Sequence, residues 1–372
     1  MNRVKEESFT VTDTVFHGCA SGDILIDYEK IVKWLREGSP MSELRLNLLT
    51  REWVVIAVER GRAPAELKLS RPERPVRPAF EPTCPFCVGN EHKTGDERFR
   101  INDGNGWLIR VVGNKYPALS PSGERTRSSD PIMRSVNGVG IHEVIIESPV
   151  HDGATAFYEI SHLERLIETY RARFNEAYKD ARVEHVIIFK NYGEGAGTAI
   201  AHPHSQLIAT PVVPYQFRDR VRSAMHYFDD TGECLLCAML KRERQAGVRV
   251  LMDTAHFMTF IPYAALSPFH TWIFPKRHCA SFAGITAEEV VELAMHMKSL
   301  FTRFHHGLDD PDFNYAIRSS RPLDEGNDYC HWYISVVPRL AKAAGFELGS
   351  GMFINSVAPE ESAAFLRAVR AE

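Results

Sequence analysis

The chain carries little excess charge of either sign: 44 lysines and arginines stand against 48 aspartates and glutamates, a formal net charge of −4 over 372 residues. No long-range positive field is available to gather nucleic acid. The sequence also lacks any uncharged apolar run approaching the roughly 20 residues that cross a bilayer. Its first residues, MNRVKEESFTVTD, have no apolar core of the signal-peptide kind. A cytoplasmic protein with neither nucleic-acid nor membrane partners is expected. Cysteine is sparse, with seven in all, and in a reducing compartment these are not expected to pair as disulfides.

What is present is ordinary core material, 44% hydrophobic and 10% aromatic residues, in a chain long enough for about two domains of roughly 150 residues. Four of the seven cysteines form two C-x-x-C pairs, Cys84/Cys87 and Cys234/Cys237, and sixteen histidines accompany them.

Each pair opens one copy of the same plan. After CPFC comes the apolar strand HEVIIESPVH ending in His151; after CLLC comes HTWIFPKRH ending in His278. Capping-box signals follow, Ser161 with Glu164 and Thr286 with Glu289. The helices behind them have core-facing spacing, through Leu163, Leu166, Ile167, Tyr170 and Phe174 in one and Val290, Leu293, Ala294, Met297 and Phe301 in the other. A strand then leads through a polar loop to a histidine-bearing strand, HPHSQLIA from His202 or HWYISVVP from His331. From His151 to His202 is 51 residues and from His278 to His331 is 53. Elements recurring in one order at near-equal spacing predict a duplicated α+β unit, the copies sharing an antiparallel sheet with helices packed on it. A leader over residues 1–42, a first domain at 43–215 and a second at 216–372 are expected. The proline-rich stretch from Ala63 to Pro82 reads as an extended connection.

Two thiolates and two imidazoles per copy suit tetrahedral zinc. The expected sets are Cys84, Cys87, His151, His202 and Cys234, Cys237, His278, His331, two zincs per chain. Four protein ligands close a site, so the metals organise the fold and leave the chemistry to other residues. A redox C-x-x-C or buried core histidines would be the plainer interpretation of a single copy. Cys279 and Cys330, beside proposed ligands, are read as bystanders.

The copies differ at one place. Alternation along a strand puts His204 on the same face as His202, and its counterpart is Tyr333. The preceding loop, Asn191 to Thr198, holds three glycines whose amides would approach a phosphate, whereas the matching RPLDEGND carries three acids. A free imidazole beside a phosphate loop points to His204 as a nucleophile toward phosphorus, with Gln206 donating to a phosphoryl oxygen. Attack requires the unprotonated ring, so activity is expected to fall on the acid side of neutrality. A nucleotide-sensing module without turnover, or a dinucleotide polyphosphate hydrolase or phosphorylase, would use the same parts.

From about Glu43 to residue 355, through ELRLNLLTREWVVIAVERGRAP, CPFC, VVGNKYPAL, ESPVH, N-x-G-x-x-x-G, HPHSQ, PKRH and GFELGSGMFIN, the chain resembles the galactose-1-phosphate uridylyltransferase family of the histidine-triad superfamily. That resemblance implies histidine-triad-like domains and ping-pong transfer of a nucleoside monophosphate through His204. The partners implied are a nucleotide sugar and a sugar 1-phosphate or phosphate. It also implies substrate contacts from Asn191, Gly197, Thr198 and Ser205, with Arg60 near the phosphates, Asn114 near the nucleoside, and Phe346 and Glu347 near the hexose. The Phe346 segment would reach a neighbouring subunit, so a homodimer is implied. Ser205 stands where uridylyltransferases have glycine or cysteine, Ser335 and Val337 stand where they carry metal histidines, and Ala63, beside Arg62, replaces an arginine. HPHSQ, HWYISVVPRL and GFELGSG are instead similar to the ADP-glucose phosphorylase branch. Adenylyl transfer is the first expectation and uridylyl transfer the alternative.

Overall fold

A computed structural model describes residues 42–60, 76–104 and 106–371. All of these fall within one compact unit, residues 40–372. The expected leader, Cys19, Arg62, Ala63 and most of the proline-rich connection lie outside the described residues.

In chain order the strands are β1 (Glu43–Leu46), β2 (Trp53–Ile56), β3 (Glu97–Asn102), β4 (Trp107–Gly113), β5 (Ile141–Ile146), β6 (His185–Tyr192), β7 (His204–Thr210), β8 (Val250–Asp253), β9 (Phe257–Phe260), β10 (Thr271–Pro275), β11 (Phe313–Arg318), β12 (Tyr333–Pro338) and β13 (Phe353–Asn355). The helices are α1 (Ile160–Ala177), α2 (Tyr215–Thr231), α3 (Leu235–Ala246), α4 (Ala287–Leu308), α5 (Gly345–Ser350) and α6 (Pro359–Ala368).

Ten strands form one antiparallel sheet in the order β3-β4-β5-β7-β6-β11-β12-β10-β9-β8. Read from the β6–β11 junction outward, each half repeats the other, which is how a duplicated unit joins edge to edge without leaving an exposed strand between the copies. A small sheet, β1-β2-β13, stands apart.

Strand alternation divides the side chains between two faces. On one, Ile145, Leu207, Ala209, Val186 and Ile188 meet Leu163, Leu166, Ile167, Tyr170 and Phe174 of α1, in a core continuous with Val290, Leu293, Ala294, Met297 and Phe301 of α4. Every core-facing position expected on these two helices is buried. Within this face Lys190 pairs with Glu147, both almost fully buried. The Tyr170 hydroxyl bridges Ser205 Oγ at 2.7 Å and Tyr315 at 2.6 Å, tying the two copies together.

The opposite face carries two separate apolar clusters, each built around one C-x-x-C. Cys84, Phe86 and Cys87 pack with Trp107, Val112, Val144 and Ile146. Cys234 with Leu235 and Leu236 packs on Phe260, Trp272, Phe274 and Tyr333.

Local signals fared unequally. Thr286 caps α4 with Glu289 completing the box, but α1 begins at Ile160 behind Glu159, with no side-chain cap. Ser161 lies inside the first turn and is no N-cap, because the helix starts earlier than the motif implies. His202 and His331 each lie just before a strand rather than within it, since β7 and β12 begin at His204 and Tyr333.

Candidate active site and metal clusters

The eight expected ligands gather as two groups, Cys84, Cys87, His151, His202 and Cys234, Cys237, His278, His331, with the ligand atoms of each within 4.8 Å of one another. Cys87 Sγ is 3.5 Å from His151 Nδ1 and 3.6 Å from His202 Nδ1. Cys237 Sγ is 3.3 Å from His278 Nδ1 and 3.4 Å from His331 Nδ1. A tetrahedron with metal–sulfur bonds of about 2.3 Å and metal–nitrogen bonds of about 2.0–2.1 Å has a sulfur–nitrogen edge of about 3.6 Å, so the donors stand at ligation spacing. In three of the four rings the other nitrogen meets a backbone carbonyl: His202 Nε2 at Ser148 O (2.7 Å), His278 Nε2 at Asn327 O (3.0 Å) and His331 Nε2 at Pro275 O (2.9 Å). A proton on Nε2 leaves the Nδ1 lone pair aimed at the cluster centre. Burial pushes the Cys84 thiol up to about 11, so a cation is what would hold it as thiolate. Cys279 and Cys330 belong to neither group; the Cys279 thiol donates to Ser281 O at 3.1 Å.

The first cluster sits directly against His204. That ring is 9% exposed, its Nδ1 is 2.9 Å from the carbonyl oxygen of His202 in that cluster, and Phe86 of the CPFC loop meets it edge-on at 5.3 Å. The carbonyl fixes the proton on Nδ1 and leaves the Nε2 lone pair free. Burial holds the imidazole below its ordinary pKa, so the neutral ring dominates.

Gln206 follows on the same face, and here the structure adds a residue that pattern reasoning missed. His142 on β5 accepts the Ala118 N–H at Nδ1 (3.0 Å), so its Nε2 carries the proton and donates to Gln206 Oε1 at 2.8 Å. This turns the Gln206 amino group away from His142, the orientation a phosphoryl acceptor needs. Asn114 Nδ2 lies 3.0 Å from the same His142 nitrogen. The available signal was period-two spacing in HEVIIESPVH, which puts His142, Val144 and Ile146 on one face. Only strand pairing, with Val144 opposite Gln206 and Ile146 opposite His204, shows which face that is.

Two expectations are corrected. Ser205 points to the helix side, with no exposed surface and its hydroxyl on Tyr170, because alternation sends it opposite to His204 and Gln206; its side chain takes no part at the binding face. Four amides of the glycine loop are engaged within the protein rather than offered to a ligand. The Gly195 N–H goes to Asp312 (2.7 Å), Ala196 and Thr198 N–H to Gly193 O, and Gly197 N–H to Glu194 O. Gly193 and Gly195 answer to close packing: at Gly193 (φ 84°) a Cβ would lie 1.8 Å from an Asp312 carboxylate oxygen. The Thr198 hydroxyl is likewise spent on Ile200 O at 3.1 Å. Asn314 of the second copy donates to Asn191 Oδ1 (2.8 Å) and Ala196 O (2.9 Å), so the loop is clamped from across the β6–β11 junction.

Arg60, Phe346 and Glu347 lie elsewhere. Arg60 and Phe346 are exposed and Glu347 is half-buried, on or beside the small sheet, and Arg60 is close enough to Glu347 to lower its carboxyl pKa, after the backbone bonds at the α5 start. Among the described residues no hydrogen bond, ion pair or ring contact joins them to His204 or Gln206.

Models of the two domains of galactose-1-phosphate uridyl transferase match the chain, the N-terminal domain at residues 34–214 and the C-terminal domain at 220–369. An ADP-glucose phosphorylase of Arabidopsis thaliana is 35% identical over 88% of this chain and 93% of its own. A galactose-1-phosphate uridylyltransferase of Thermotoga maritima is 27% identical over 89% and 100%. A crystal structure of an Arabidopsis thaliana ADP-glucose phosphorylase with bound ADP-glucose superposes with a TM-score of 0.75 at 34% identity, covering 89% of this chain and all of that one. No helix among the described residues is long and apolar enough to cross a membrane.

Proposed function

The chain belongs to the galactose-1-phosphate uridyl transferase family, and on that premise we propose that it transfers an adenylyl group from ADP-glucose to phosphate through a nucleotidyl-His204 intermediate. The observation that carries this reading is the fixed imidazole: Nδ1 committed to the His202 carbonyl, Nε2 free, and Gln206 beside it on the same face.

In the first step the Nε2 lone pair attacks the α-phosphorus. The bond from phosphorus to the bridging oxygen breaks, and glucose 1-phosphate leaves with the electron pair. In the second, a phosphate oxygen attacks the same phosphorus, the phosphorus–nitrogen bond breaks, ADP departs and the imidazole is restored. Catalysis of this kind is positioning and charge stabilisation; the oriented Gln206 amide donates to the phosphoryl oxygens, and the clamped loop holds Asn191 near them. Zinc is the proposed occupant of both clusters; in the first, Cys84, Cys87, His151 and His202 would hold it, and ligation would fix the His202 backbone that orients His204.

Adenine over uracil is favoured by the higher identity to the phosphorylase than to the uridylyltransferase, 35% against 27%. The test is incubation with ADP-glucose or UDP-glucose carrying label at the α-phosphate, stopped in alkali. Acid-labile label on protein from ADP-glucose, discharged by phosphate as ADP, is the expected result. Label from UDP-glucose alone would establish uridylyl transfer, and label from neither donor would sink the covalent mechanism.

His142 is the positioning residue in this scheme. His142→Ala is expected to lower kcat by up to about 100-fold, the scale of a catalytic group misplaced by about 1 Å, with little change in donor KM. The deficit should be smaller in a Gln206→Ala background, because a positioning role vanishes with the group it positions; equal deficits in both backgrounds would contradict it.

The homodimer belongs to this proposal too. Leu44, Leu48, Trp53, Phe346 and Leu348 are exposed on or near the small sheet, an apolar surface suited to a second copy, and light scattering of the purified chain would report its mass.

A further inference from the structure

The second copy retains the remnant of a site at the place equivalent to the active site. In the first copy Gln206 lies between Val144 and Phe189; in the second Ser335 lies between Trp272 and Ala316. Counting two residues along each strand makes Tyr333 the equivalent of His204, His270 of His142 and Arg318 of Asn191. The correspondence extends to hydrogen bonds. His270 Nε2 meets Ser335 Oγ at 2.9 Å and Nδ1 accepts the Leu266 N–H at 3.3 Å, as His142 does with Gln206 and Ala118.

The nucleophile is gone, and something else is missing. A small cavity of about 30 Å³ under α2 is lined by Arg220, Arg318, Ser319, Ser320 and Tyr333 among apolar neighbours, with no carboxylate in its walls. Arg318 Nε and Arg220 Nε and Nη1 are sealed from solvent without a hydrogen-bond partner among the described residues. The two guanidiniums repel each other, and burial with that repulsion lowers the Arg318 pKa. A cation sealed from water without a counter-charge is costly, and two guanidiniums facing one cavity define an acceptor-shaped gap. Paired guanidinium forks match the oxygens of a tetrahedral oxyanion.

We propose that Arg220 and Arg318 bind a phosphate-type oxyanion, either free phosphate or the phosphoryl group of a monoester, in the second copy's counterpart of the catalytic site. It is held there without chemistry, because Tyr333 stands where the nucleophile would be. This inference rests on the duplication and the unpaired cations, not on the catalytic reading.

The experiment follows thermal unfolding of the full metal-loaded chain against orthophosphate at constant ionic strength, for wild type, Arg220→Gln, Arg318→Gln and the double variant. Any phosphate bound near His204 contributes equally to all four. The wild-type midpoint is expected to rise by roughly 4 °C more than the double variant's when phosphate is about 100-fold above its dissociation constant. In phosphate-free buffer the variants should unfold no earlier than wild type, since substitution relieves repulsion. Equal phosphate-dependent rises, or variants destabilised to the same degree in both buffers, would overturn the proposal. A parallel series with glucose 1-phosphate separates a monoester from free phosphate. If the variants do not fold, wild-type crystals soaked in selenate decide: an anomalous peak between the two guanidiniums supports the site, and its absence refutes it.

Discussion

His204→Ala is expected to abolish protein labelling by ADP-glucose and to lower turnover by about 10⁴- to 10⁶-fold, the loss seen when a covalent nucleophile is removed. The reason is chemical rather than structural. Among the described residues His204 makes one hydrogen bond, to the His202 carbonyl, and packs its edge on Phe86, so truncation leaves both C-x-x-C clusters and the helix-side core untouched. Metal content and far-ultraviolet circular dichroism should match wild type. Gln206→Ala is expected to fall less, about 10²- to 10³-fold, as for one donor to a charged transition state. It should still be labelled, because the nucleophile remains. A His204→Ala protein that turned over at a rate within tenfold of wild type would show that phosphorus is attacked by another group. Burial holds the His204 pKa down, so the neutral nucleophile persists below imidazole's usual value of about 6.5 and the acid limb of wild-type activity should lie below that pH.

The second large effect concerns the clusters, and it is expected to be asymmetric. Cys87→Ser removes the thiolate that faces both His151 and His202; Cys237→Ser removes its counterpart facing His278 and His331. Each variant should bind one metal equivalent where wild type binds two, by elemental analysis. Structural zinc contributes about 10–16 kcal/mol in small peptides, comparable to the whole stability of a domain at about 5–15 kcal/mol, so both variants should unfold at markedly lower temperature. Activity distinguishes them. Loss of the first cluster frees the His202 backbone that orients His204, and turnover should collapse even where the protein is still folded. Loss of the second leaves the His204 contacts in place, so Cys237→Ser protein assayed well below its unfolding midpoint should keep most of its turnover. Retention of two equivalents by Cys87→Ser would refute that ligand set, and equal activity losses in the two variants would refute the orienting role.

The repeat was legible because its markers are short and chemically distinctive. C-x-x-C, the post-proline histidine and the late histidine can be aligned by spacing alone, and together they mark both Cys/His clusters and the asymmetry of His204 against Tyr333. The helix-side core was legible for a related reason, since 3.6-residue spacing in α1 and α4 reports which side of a helix is dry.

What pairing decides was not legible. His142 lies 62 residues before His204 in the chain, and only the β5–β7 register brings it to Gln206. Asp312 and Asn314 of the second copy shape a loop of the first, so a glycine pattern that resembles a phosphate cradle is set by an aspartate in another part of the chain. Ser205 shows the cost of reading a motif as a unit, because adjacent strand residues face opposite sides of the sheet. The unpaired Arg220 and Arg318 come from a helix and a strand with no shared motif.

The sequence alone determined the duplicated α+β plan, the two C2H2 donor sets and the one imidazole left over, because residue type and local spacing carry that information. The tertiary structure decided which nitrogen of His204 is free, which way Gln206 faces, how the glycine loop is held and where two cations meet without a partner. Those depend on contacts between segments tens to hundreds of residues apart, and local sequence does not encode register across a sheet.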